Sequence, residues 1–223
     1  PDATEGIAST KPYADLRLPD NLYVIGTVNM DETTHPFSRK VLDRANSIEM
    51  NEVDLGWKDA GAKVKAPLEE VYNDFLKAPY LNSRDITKKD QDELRGFIEK
   101  LQRINQCLEP ADLHFAYRVR DEMAFYLLLN KKYKLLSEGE AFDFQLMQKV
   151  LPRIQGSSAA VKNALLSLLT ELDSIVLSPD EFNQSNLEAK VKQVSNPKYP
   201  RSLRKIVFML KRYDNDGFTS FWQ

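Results

Sequence analysis

The chain has 223 residues, 42% hydrophobic and 29% charged, the balance of an ordinary globular protein with room for one large or two small domains. A formal net charge of −2 gives no overall field that would draw nucleic acid, and a single cysteine, Cys107, excludes an intrachain disulfide framework and fits a reducing cytoplasm. No apolar run reaches the ~18 residues that suggest a membrane helix, and the opening PDATEGIAST has neither the basic start nor the apolar stretch of a signal peptide.

Residues 1–20 are polar, with Pro12 and Pro19, and read as a lead-in. Leu22-Tyr23-Val24-Ile25-Gly26-Thr27-Val28 is then a short apolar, β-rich run with almost no alternation, the pattern of a strand buried on both faces of a parallel sheet. It ends on Asn29, a polar residue at the carboxyl end of the strand, where open α/β sheets place their ligand chemistry. Pro36 can open a helix whose inner face is Val41, Leu42 and Ala45, with Arg44 at its end and a second extended piece at Ser47–Met50. Residues 51–66 carry two glycines and mixed charges and form a connector, so a domain boundary falls near residue 60.

Downstream, helical periodicity takes over. Pro67 starts a short helix with Leu68, Val71, Tyr72, Phe75 and Leu76 inside. Thr87, with Asp90 three residues on, caps a longer one carrying Leu94, Phe97, Ile98, Leu101, Ile104 and Leu108 on one face, and Pro110 stops it. FAYRVRDEMAFYLLL gives the next helix, Phe142–Ile154 another that ends near Gly156, and Ser157 caps a further one ending around Ile175. After a more polar segment up to Pro197, Pro200 and Ser202 begin a final helix that closes at Gly217. The expected architecture is mainly α: residues 1–60 as the truncated end of an α/β subdomain, residues 61–223 as a helical domain of six to eight helices.

Most isolated signals have plain structural readings. His35 and His114 are far apart and one cysteine cannot complete a zinc set with them, so no metal site is expected. Asp31 and Glu32 could hold Mg²⁺, but a solvated loop explains them better. Lys198, Arg201, Arg204, Lys205, Lys211 and Arg212 form a basic run that could touch nucleic acid or a partner, although Leu203, Ile206, Val207, Met209 and Leu210 make a solvated charged face the simpler reading.

G-T-V-N-M-D-E-T-T-H-P-F-S-R-K-V-L-D-R-A, residues 26–45, resembles the McrB-like branch of AAA+ NTPases, the motor subunits of modification-dependent restriction systems. Three further pieces resemble the same family: His114–Glu122 (HFAYRVRDE), FDFQLMQKVLPRIQG at 142–156, and GFTSFW at 217–222. The resemblance implies that the 22–28 strand is the sensor 1 strand and Asn29 the sensor 1 residue, that Arg44 is an arginine finger presented to a neighbouring subunit, and that residues 61–223 are the helical lid. Arg118, with Arg120 as runner-up, would contact the nucleotide from that lid. It further implies GTP or ATP with Mg²⁺ as cofactor, a homo-oligomeric (hexameric) ring, a nuclease subunit as partner, DNA contacted through a separate domain, and a cytoplasmic location.

One departure limits the expectation. The chain contains no G-x-x-x-x-G-K-[ST] loop, whose backbone N–H groups and lysine would cradle the phosphates, and no apolar strand ending in Asp-Glu to hold Mg²⁺. In the family these motifs lie upstream of sensor 1, so the fragment alone is expected neither to bind nucleotide tightly nor to hydrolyse it. The competing expectation is a non-catalytic helical module used for assembly.

Overall fold

A computed structural model describes residues 16–18, 22–30, 35, 37–51, 55–56 and 83–222. Most of the expected lead-in and of the connector, the helix from Pro67 and the pair Asp31 and Glu32 lie outside the described residues. The chain divides into two units, Pro1–Asn29 with Trp57–Lys77, and Met30–Gly56 with Ala78–Gln223.

In the first unit the expected strand at Leu22–Val28 is not formed: the backbone carries no ladder and the side chains are exposed, Ile25 by 91%. The expected buried strand is thus replaced by exposed, unladdered backbone. A strand buried on both faces needs a neighbour on each edge and helices over both faces, and none of these pairs with Leu22–Val28 among the described residues.

In the second unit, helices dominate the described residues: α1 (Arg39–Leu42), α2 (Lys88–Leu108), α3 (Tyr117–Tyr133), α4 (Glu138–Gln145), α5 (Ala159–Asp173), α6 (Gln184–Lys192) and α7 (Pro200–Asp216). Strands β1 (Gln155–Gly156) and β2 (Thr219–Ser220) pair antiparallel, Gln155 opposite Ser220. The fold is mainly α, as expected.

The starts of α2 and α4 are fixed by reciprocal caps. Thr87 Oγ1 accepts from Asp90 N while the Asp90 carboxylate accepts from Thr87 N, and Ser137 and Glu140 repeat the arrangement. Each such cap is worth ~1 kcal/mol. At α7 the cap comes from another helix: Asp143 of α4 accepts from the N–H groups of Arg201 and Ser202, at 2.9 Å each, and from the Ser202 hydroxyl at 2.5 Å. The C-terminal stop is Gly217, at φ +66°, the left-handed conformation glycine adopts at no steric cost.

The 3.6-residue periodicity buries one continuous core. Leu101, Ile104 and Leu108 of α2, Val119 and Met123 of α3, Leu165, Leu168 and Leu172 of α5, and Ile206, Met209 and Leu210 of α7 close on one another. Full burial of each such side chain contributes roughly 1.5–3 kcal/mol. α5 lies centrally, against both α2 and α7, while α3 packs on α4.

Two details differ from the periodicity reading. The expected helix over 142–154 breaks after Gln145 into a π turn, Leu146–Val150, and a 3₁₀ turn, Leu151–Arg153. Pro152 cannot donate to a continuing α-ladder, and Lys149 and Arg153 lie buried on the face that carries Phe142 and Leu146. The polar segment before Pro197 contains α6, whose only buried residue is Leu187.

Candidate functional site

Three cations of the helical unit are buried: Lys149 (1% exposed), Arg153 (6%) and Lys205 (7%). An unpartnered charge at such depth costs several kcal/mol, so each must meet an acceptor. All three find one in the segment 43–49. Arg153 pairs with the Asp43 carboxylate and donates to the His114 carbonyl at 3.0 Å. Lys149 pairs with Glu122 of α3 and donates to the Ala45 carbonyl at 2.8 Å. Lys205 pairs with Glu49 at 2.5 Å, donates to the Phe221 carbonyl at 3.0 Å, and sits 4.5 Å from the Phe221 ring centroid.

Further contacts hold the same segment. Arg39 donates to the Asp112 carbonyl at 2.7 Å, Ser47 N to the Gln148 carbonyl at 3.4 Å, and Phe37 meets Trp222 edge-to-face at 5.7 Å. Residues 37–49 therefore lie as a strap across the helical unit, gripped by the π and 3₁₀ turns, α7 and the chain's last residues. In its second extended piece the charged residue faces the helical unit. Ile48 and Met50 are exposed by 71% and 90%, while Glu49 points in to meet Lys205.

Arg44 sits in the turn after α1, its N–H donating to the Val41 carbonyl at 3.0 Å. The helix is shorter than expected, and Val41 faces outward while Leu42 is buried. Asp43 and Ala45, on either side of Arg44, are the residues Arg153 and Lys149 hold. The Arg44 side chain is exposed and forms no hydrogen bond or ion pair with another described residue. The arrangement is a cation projecting from a backbone clamped on both sides.

Arg118 and Arg120 occupy the first turn of α3, after Ala116. Arg118 is exposed. Arg120 is half-buried, bonded to the Asp121 carboxylate at 2.6 Å and stacked 4.8 Å from the Tyr117 ring centroid. The segment leading into α3 is tied to the Arg44 turn twice, through Arg39 to the Asp112 carbonyl and through Arg153, which bridges Asp43 and the His114 carbonyl. The structure thus joins the Arg44 and Arg118 segments within one unit. Asn29 belongs to the other unit, where it is exposed in extended backbone.

The other candidates resolve simply. No group of three metal-ligating side chains occurs among the described residues. No described helix is long and apolar enough to cross a membrane. The basic run is largely engaged within the chain, which corrects the solvated face: Lys205 is buried, Arg201 lies 4.2 Å from the Phe144 ring centroid, Lys211 pairs with Glu188 and Arg212 donates to the Trp222 carbonyl. Burial, then the Glu171 charge, raises the Cys107 thiol above its ordinary pKa, so it stays protonated and unreactive.

Sequence reasoning missed the grip of Lys149, Arg153 and Lys205 on the strap. Its signal lay in QKVLPRI, where two cations four residues apart interrupt an otherwise apolar stretch. A cation on a buried face demands a partner, and none of opposite charge stands nearby in that stretch.

Comparison with curated proteins and with solved structures finds no match. Residues 63–218 match the model of a domain of unknown function, DUF8727, and the chain belongs to that family.

Proposed function

We propose that this chain supplies the arginine-finger turn and helical lid of a McrB-like AAA+ NTPase, which hydrolyses GTP or ATP with Mg²⁺ in a ring and drives a nuclease partner against modified DNA. The observation that supports this reading most is Arg44, exposed between two residues that buried cations hold in place. An arginine finger stabilises charge developing on the transferred phosphoryl group of a neighbouring site. It does so best when its position is fixed beforehand, so that little reorganisation accompanies the reaction. A clamped backbone with a projecting guanidinium meets that requirement.

Arg118 is the better lid candidate of the pair, since Asp121 and Tyr117 already engage Arg120. Lys149 and Arg153 would then couple the lid to the finger turn, so that lid rotation moves Arg44.

In the intact protein, Arg44→Ala should retain nucleotide binding and lower hydrolysis by ~10³–10⁵. Unchanged turnover would exclude the finger. A second reading, a helical module for assembly without catalysis, draws on the Leu22–Val28 segment, which pairs with no strand among the described residues. It requires that nucleotide leave the oligomeric state of the intact protein unchanged, which sedimentation with and without GTP or ATP measures.

A further inference from the structure

A cleft of about 430 Å³ lies between α2, the end of α3, the start of α4 and the residues leading into α7. Phe97, Leu94 and Leu127 provide apolar wall, and Lys100 and Lys198 provide charge. Lys100 donates to the Tyr199 hydroxyl at 2.5 Å and lies 5.2 Å from the ring centroids of both Phe142 and Tyr199. Tyr199 is 2% exposed, and no described residue accepts its hydroxyl proton.

Among the described residues the two lysines share no carboxylate partner. Of the nearest acids, Glu171 is held by Arg103 at 2.7 Å, and Asp173 accepts the backbone N–H groups of Lys198 and Tyr199. The other acids of the cleft serve elsewhere: Glu93 pairs with Lys131 at 2.8 Å, and Glu138 acts on the same lysine. Glu93 precedes Lys100 by two helical turns, ~10 Å along α2. Burial, and then the adjacent Lys198 ammonium, pull Lys100 down to about 8, with Glu171 offsetting only part of the shift.

Gly96 adds an independent observation. It stands inside the long helix α2, where glycine costs ~1 kcal/mol relative to alanine, and a Cβ there would meet nothing within 4 Å. Among the described residues no packing requires glycine at this point of the wall. Its lack of a side chain keeps the cleft open.

We propose that this cleft binds a small organic anion with an apolar body, its charge between Lys100 and Lys198 and the Tyr199 hydroxyl, its body against Phe97, Leu94 and Leu127. The volume suits a ligand of that size. The anion adds countercharge beside the two ammonium groups and accepts a hydrogen bond from the Tyr199 hydroxyl. The proposal does not depend on the nucleotide-motor reading, since every residue it uses lies outside the Arg44 strap.

The probe is 8-anilinonaphthalene-1-sulfonate, followed by fluorescence on the folded protein, with N-phenyl-1-naphthylamine as its uncharged counterpart. Saturable binding of one equivalent is expected, at least about tenfold tighter than the uncharged dye, a difference of ~1.4 kcal/mol. Gly96→Leu, which fills the cleft without backbone strain, should abolish it. The double variant Lys100→Met, Lys198→Met should weaken the sulfonate about tenfold or more while sparing the uncharged dye, and Lys132→Met, outside the cleft, should change neither. Absence of saturable binding, indifference to Gly96→Leu, or equal affinity for both dyes would overturn the proposal. Melting curves of each variant establish that the fold is retained.

Discussion

Asp43 is 37% exposed at its side chain, yet its loss should be the most damaging change on its turn. Asp43→Ala leaves the buried Arg153 guanidinium with only a carbonyl to satisfy it, and an uncompensated buried cation costs about 3 kcal/mol. Arg44→Ala removes a solvated side chain and should alter stability by less than about 0.5 kcal/mol. Urea denaturation of the two variants checks the ordering, and equal losses would show that the clamp is not what fixes the turn. The clamp was illegible in the sequence because Lys149 reaches an acceptor 104 residues away and Arg153 one 110 away. Periodicity marks such cations as buried but cannot name their partners. The residue scale also carries a pH prediction. Lys100 is lowered from 10.5 to about 8 by burial and then by Lys198. Between those values the unfolded chain holds more protons at this position than the folded one, so the stability it contributes rises as pH climbs through the window. Relative to Lys100→Met, the wild type should therefore gain melting temperature from about pH 7.5 to about pH 10, and a constant gap would refute the lowered value.

At the scale of elements, α7 depends on α4 for its start. Tyr199, its N-cap residue, offers no side-chain bond, and the first N–H groups instead find Asp143. A carboxylate at a helix N-terminus gains from the macrodipole as well as from its hydrogen bonds. Asp143→Ala should cost about 2–3 kcal/mol, and Asp143→Asn, which keeps an acceptor, clearly less. Equal losses in thermal denaturation would mean that packing around α4, not the cap, dominates. The long helices were legible because their apolar spacing is regular and their caps are local, Thr87 with Asp90 above all. Three features were not. α6 fully buries Leu187 alone, with Val191 and Val194 only partly covered amid a polar segment, and the π turn after Gln145 has no short-range signature. Leu22–Val28 has the composition of a buried strand, but a ladder is a property of neighbours, which a single stretch does not encode.

At the scale of the whole molecule, the strap and the helical unit form one mechanical proposition. Residues 37–49 are bound to the helical unit by three buried cations, so motion of that unit carries Arg44 with it. The candidate arginines were legible as residues; what the sequence withheld was that Arg44 and Arg118 belong to segments tied together, while Asn29 stands in a separate unit. The measurement that tests the central claim most directly is complementation between inactive variants of the intact protein. On the proposed reading, Arg44→Ala is mixed with a variant lacking the phosphate-loop lysine that this reading expects, each alone expected to be unable to hydrolyse nucleotide. If Arg44 acts on the neighbouring subunit's site, mixed rings contain interfaces with both an intact finger and an intact loop, and a fraction of the hydrolysis returns. A mixture as inactive as its two components, or an Arg44→Ala protein that hydrolyses nucleotide at the wild-type rate, would contradict the account.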